Sequence, residues 1–125
     1  MATATEPIEL VKSRIDQVDP QSANVEIERG DAVLIDTREP HEWDLAHLQG
    51  ARLVPPASIR ERIAELVPER SARVILYCAT GNRSARAADV LQNELGYENV
   101  ASIAGGIQAW TEQGLPVIAS EGLTP

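Results

Sequence analysis

Two short apolar runs dominate the pattern of this chain: Ala32-Val33-Leu34-Ile35, which ends in Asp36-Thr37-Arg38, and Val74-Ile75-Leu76-Tyr77, which ends in Cys78. Each is too short and too β-branched for a helix and has no polar alternation, which predicts strands buried on both faces. Residues 15–18 alternate apolar and polar, and residues 51–54 and 100–103 read as further short strands. Between them the period changes. Asp19-Pro20 is an N-cap followed by proline at the first helical position, which predicts a helix over residues 20–28 stopped by Gly30. A second helix is expected over residues 58–66, ended by Pro68. A third is expected over residues 84–95, with Ala85, Ala88, Leu91 and Leu95 on its inward face and Gly96 just beyond it. A last helix is expected over residues 107–113, ended by Gly114. Residues 38–50, REPHEWDLAHLQG, read as a charged loop. Residues 1–9 read as a flexible arm, 10–118 as one domain and 119–125 as a tail. Strand and helix alternating through short connections predict βαβ units, an α/β fold with a mostly parallel sheet covered on both faces.

Composition narrows the function. At 125 residues the chain suffices for one core. It has no Phe, two Trp and two Tyr, so stacking platforms for nucleic-acid bases are lacking, and a formal net charge of -8 repels polyanions. No nucleic-acid partner is expected. The start MATATEPIELVKSRIDQ has neither the basic nor the apolar segment of a secretory signal, and no apolar run approaches membrane-spanning length. With a single cysteine no internal disulfide can form. These features predict a cytoplasmic protein without a membrane partner, its lone thiol exposed in a reducing compartment.

The chemistry concentrates at LYCATGNRSA, residues 76–85. In open parallel sheets, sites gather where strand ends lead into helix N-termini, and Cys78 falls at such a place. A lone cysteine is ordinarily a small buried hydrophobe. Here the residues that follow, Ala79, Thr80, Gly81, Asn82, Arg83 and Ser84, are small, turn-forming or cationic, which a core cysteine does not require. Their backbone N–H groups can turn around the sulfur, and the helix N-terminus with Arg83 and Arg86 adds positive potential that favours a thiolate. His41 and His47 do not have the spacing of a metal site. Trp43 and Trp110 read as packing residues, and Glu39, Glu42 and Asp44 as a solvated face.

Two separated motifs resemble the rhodanese-domain family, the sulfurtransferases. LIDTREPHEWDLAHLQGARLVP is similar to the family's Asp-x-Arg-Glu segment with its later His-x-x-Gly-Ala, and the block from Val74 to Trp110 is similar to its active-site segment, ending in Gly105, Gly106 and Trp110. The resemblance implies a three-layer α/β/α sandwich on a mostly parallel five-stranded sheet. It implies a thiosulfate-type sulfurtransferase without cofactor or metal, in which Cys78 takes a sulfane sulfur from a small donor as a persulfide and passes it to a thiol, cyanide or a protein acceptor. In that role residues 79–84 form the anion-binding loop, and Asp36 and Arg38 support it. Ala79, Thr80 and Glu42 stand where members that use thiosulfate well carry basic residues, so thiosulfate is expected to be a poor donor.

Two other classes compete: a non-enzymatic sulfur carrier or binding module, and the cysteine phosphatases with the related arsenate reductases. The phosphatase cradle has one more residue between its cysteine and arginine than Ala79, Thr80, Gly81 and Asn82 provide here. A ring of this size surrounds one added sulfur atom, whereas a tetrahedral oxyanion needs a wider one. Aryl phosphate hydrolysis by the purified protein should therefore be negligible beside its sulfur transfer; a faster phosphatase rate would overturn the loop-size argument.

Overall fold

Asp19 and Pro20 act as their types dictate in the computed structural model, which describes residues 6–119. The Asp19 side chain accepts the Ser22 amide at 2.9 Å and Pro20 opens helix α2 (Pro20–Arg29), which Gly30 closes at φ 74°. Helix α1 (Ile8–Ser13) and strand β1 (Asp16–Val18) precede it. The expected arm over residues 1–9 thus needs correction at Ile8, whose helix buries Val11; residues 1–5 lie outside the described residues.

The apolar runs become β2 (Val33–Asp36) and β5 (Arg73–Tyr77). They pair side by side in parallel, Asp36 opposite Tyr77. With β1, β4 (Arg52–Leu53) and β6 (Asn99–Ile103) they form a five-stranded sheet in the order β1-β6-β5-β2-β4, every neighbouring pair parallel. Alternation along β5 sends its side chains to two cores. Val74 and Leu76 face Val11, Ile63, Ala88 and Leu91 on the side of α1, α4 (Ile59–Leu66) and α5 (Asn82–Asp89). Ile75 and Tyr77 face Ala23 and Trp110 on the side of α2 and α6 (Gly106–Glu112). The layers are the expected α/β/α sandwich.

Three other expectations change. The charged segment 38–50 is not all loop: α3 (Pro40–Leu45) forms within it, Pro40 at the first position and the Glu39 amide bonded to Glu42 Oε1 at 3.0 Å, before β3 (Ala46–His47). β3 pairs antiparallel with β7 (Ile118–Ala119), so the chain to residue 119 is still tied down where a tail was expected to start. The helix expected over residues 84–95 begins earlier and ends in a wide π turn over Val90–Glu94, where the Leu95 amide bonds the Val90 carbonyl at 3.1 Å.

The backbone of α6 lies hard against the segment after β5. At Gly106, φ 60°, an added Cβ would meet the Cys78 carbonyl oxygen and lie 2.6 Å from the carbonyl carbon and oxygen of Ala79. Gly50, φ 83°, has nothing within 4 Å. Gly106→Ala should therefore cost about 3 kcal/mol or more, from overlap plus left-handed strain, against roughly 1 kcal/mol for Gly50→Ala. Chemical denaturation of the two variants tests this, and equal losses would contradict it.

Candidate active site

Cys78 leaves the end of β5 with its backbone held on both sides. The Tyr77 carbonyl before it accepts the Thr37 amide at 2.9 Å and the Thr37 hydroxyl at 3.0 Å. The Cys78 and Ala79 carbonyls accept the amides of Ile107 and Gln108, in the first turn of α6, at 2.9 and 3.1 Å. With these carbonyls turned toward α6, the following amides turn the other way. Gly81 N–H reaches the Cys78 Sγ at 3.1 Å and Ser84 N–H at 3.3 Å, and the Ser84 hydroxyl stands 3.5 Å from it. Gly81 permits the turn at φ 102°, and any side chain there would crowd Gly105 N and the Ile103 carbonyl. Three donors thus converge on one sulfur.

The structure thus brings Cys78, Gly81 and Ser84 together. Ala79, Thr80 and Asn82 complete the turn, Thr80 and Asn82 exposed. One expectation is corrected: the thiol is not exposed, because Cys78 is only 1% accessible, tucked beneath its own loop. Arg86 turns to the Glu6 carbonyl at 2.8 Å.

Arg83 crosses from α5 to α3, where its two terminal nitrogens grip both oxygens of Glu42 at 2.7 and 2.8 Å. Glu42 pushes the Arg83 guanidinium above the usual arginine range, and Cys78 adds in the same direction. Asp36 and Arg38 form the most deeply buried ion pair among the described residues. The buried Asp36 carboxylate accepts the Arg38 amide at 2.9 Å and its guanidinium at 2.7–3.2 Å, and Arg38 also donates to the Ala46 carbonyl at 2.7 Å. The pair therefore braces the α3–β3 segment that carries Glu42, and the Arg38 guanidinium lies 5.6 Å from the centre of the Tyr77 ring, next to Cys78 in the chain. Burial, with Asp36 beside it, pushes the Tyr77 hydroxyl upward, and that hydroxyl accepts the Leu48 amide at 3.0 Å.

Several residues here escaped sequence reading. Ser102, buried on β6, shares a 2.7 Å hydroxyl contact with Ser84 and so orients it, but a serine inside a strand carries no signal of that use. Thr37 sits in a recognised motif without a recognised task. Gly106 was visible only as half of a glycine pair. His47 stacks on Trp43 with ring centres 3.6 Å apart and its Nδ1 3.0 Å from the Trp43 carbonyl. Among the described residues no three His, Cys, Asp or Glu side chains gather as metal ligands, and no helix is long and apolar enough to cross a membrane.

Residues 19–113 match the family model described as the Rhodanese-like domain. The protein named "Probable adenylyltransferase/sulfurtransferase MoeZ" of Mycobacterium tuberculosis is 42% identical over 85 residues, which is 66% of this chain and 21% of that relative; the chain thus spans about a fifth of its length. A protein of Allochromatium vinosum named "Sulfurtransferase" is 33% identical over 109 residues, covering 86% of this chain and 99% of the relative. The crystal structure of a thiosulfate sulfurtransferase from Pseudomonas aeruginosa superposes with a TM-score of 0.83 at 28% identity, covering 91% of this chain and 22% of that one.

The Glu42–Arg83 pair gives this site its pH signature. The Arg83 hydrogen bonds hold Glu42 at about 2, below the ordinary 4.5. Because the folded value is the lower one, the pair stabilises fully above pH 4.5 and that contribution is lost as pH falls toward 2. Glu42→Gln should lower the melting temperature at neutral pH by roughly 1–4 °C, the pair being part-exposed, and the gap should close on acidification. A gap that holds or widens in acid would contradict the pairing.

Proposed function

The chain belongs to the rhodanese-like domain family, and from that premise we propose that it is a sulfurtransferase that carries sulfane sulfur as a persulfide on Cys78. The observation that supports this best is the convergence of the Gly81 and Ser84 amides on Sγ at 3.1 and 3.3 Å. In the first half-reaction the Cys78 thiolate attacks the outer sulfur of a donor. With thiosulfate, the donor's S–S bond breaks, sulfite leaves with the electron pair, and Cys78 becomes a persulfide. In the second, an acceptor attacks the terminal sulfur. With cyanide, thiocyanate forms and the electron pair returns to Sγ as thiolate. Both steps balance without a cofactor or an external oxidant.

The same amides serve each half. They hold the thiolate before attack and receive it again as the leaving group, and on the persulfide they face the sulfur that carries the charge. No second thiol exists in the chain to resolve the persulfide internally, so the acceptor comes from outside. A small thiol, cyanide or a protein acceptor each satisfies the second step; the sulfurtransferase names of the relatives support the class of reaction, not the identity of donor or acceptor. Phosphatase chemistry fits less well. It would use the loop arginine to chelate an oxyanion, and Arg83 has both terminal nitrogens on Glu42.

Intact-mass spectrometry after incubation with thiosulfate or polysulfide is the direct test. The protein should gain the mass of one sulfur atom and lose it on addition of cyanide, while Cys78→Ser should fold and gain nothing. Transfer that persists in Cys78→Ser would remove this mechanism.

A further inference from the structure

A cavity of about 330 Å³ opens between α3 and α6, and Ala79, the residue after the nucleophile, forms part of its wall. Two lining residues are ionised, and the protein neutralises both. Arg38 is held by Asp36 and the Ala46 carbonyl, and Glu42 by Arg83. The other walls are carbon or uncharged: Leu45, Ala46, Ala79 and Ile107 on one hand, Gln108 and Thr111 on the other, with the Thr111 hydroxyl turned back on the Gln108 carbonyl at 3.0 Å. Leu45 is 57% exposed, a large apolar side chain left to solvent at a cavity beside the catalytic loop. Its volume falls at the small end of ligand pockets.

Resting on the sulfur-carrier reading above, we propose that this cavity seats the body of the acceptor thiol and selects acceptors whose body is apolar and uncharged. Displacement at sulfur is in line. The attacking thiolate, the transferred sulfur and Sγ must be collinear, so the body of the acceptor extends beyond the loop, where Ala79 borders the cavity. The acceptor thiolate forms a bond to the terminal sulfur of the Cys78 persulfide, the Sγ–S bond breaks, the electron pair stays on Sγ, and the transferred sulfur leaves as the anionic end of the product persulfide. An acceptor with an anionic body would bring a charge to walls whose two ionised groups already have partners, and would face the Glu42 carboxylate. An apolar body instead covers Leu45 and Ile107, removing their surface from water.

A single-turnover experiment separates this proposal from the reading it rests on. Cys78 is loaded with inorganic polysulfide, freed of excess, and discharged to benzyl mercaptan, to mercaptoethanesulfonate or to cyanide. Each thiol's rate is divided by its rate with a small alkyl persulfide in solution, which removes intrinsic nucleophilicity. The normalised preference for benzyl mercaptan over mercaptoethanesulfonate should be about tenfold or more, the scale on which an apolar pocket discriminates. Leu45→Lys should erase or invert it. Thr111→Trp, which fills the cavity from an exposed helical position, should lower the ratio of benzyl mercaptan discharge to cyanide discharge by about tenfold. Equal normalised rates for the two thiols, or ratios unmoved by both variants, overturn the proposal while the loaded persulfide still stands. Failure of Cys78 to load removes the sulfur-carrier reading and the proposal with it.

Discussion

The site depends on one division of labour among peptide groups. After β5 the chain must present N–H groups to a sulfur, yet every peptide that offers an N–H on one side carries a carbonyl on the other, and a buried carbonyl without a donor is costly. The first turn of α6 resolves this, since its amides would otherwise lack partners within the helix. Ile107 and Gln108 take the Cys78 and Ala79 carbonyls, and the loop is left free to aim Gly81 and Ser84 at Sγ. This needs the two backbones in contact, and only a residue without a Cβ allows that at position 106. The closest donors to the Cys78 sulfur are therefore backbone amides fixed by the fold, with the Ser84 hydroxyl beyond them.

Charged side chains play a supporting part by cancelling one another. Asp36 and Arg38 are buried as a pair, with 0% and 5% of their surface accessible, and such pairing is the condition on which charges can be buried at all. Arg38 Nη2 also donates to the Ala46 carbonyl, fixing the end of α3, and α3 presents Glu42 to Arg83. A line of ion pairs thus runs from the end of β2 to the start of α5. It braces the loop, leaves the adjacent cavity without net charge, and keeps the chain's formal charge of -8 a property of the outer surface.

Hydrophobic runs and helix punctuation made most of this fold legible. The β2 and β5 runs, the Asp19-Pro20 start and the Gly30 stop all act as their residue types require, because burial and capping are local in sequence. The strand-tip position of Cys78 was legible for the same reason: strand, turn and helix start are consecutive. Its burial was not, since the loop that folds over it is held in shape by α6. Helix α3 was hidden because its start uses Glu39 and Pro40 in a six-residue helix that buries no side chain, so no apolar stripe announces it. Ser102 and the carbonyl acceptors on the cysteine loop were illegible because each depends on a partner distant along the chain.

That distance bears on when the thiol becomes reactive. The donors to Sγ lie within a few residues of Cys78, but the α6 turn that holds the loop in shape follows another strand, and β6 must be laid beside β5 before α6 can reach back. Contacts of that span form late, after their loop-closure entropy has been met. A chain still emerging from synthesis, or one locally unfolded at α6, carries an ordinary cysteine thiol in an unstructured turn. Under the proposed function, sulfur loading is in this way conditional on a finished fold, and an incomplete molecule lacks the donors that converge on Sγ.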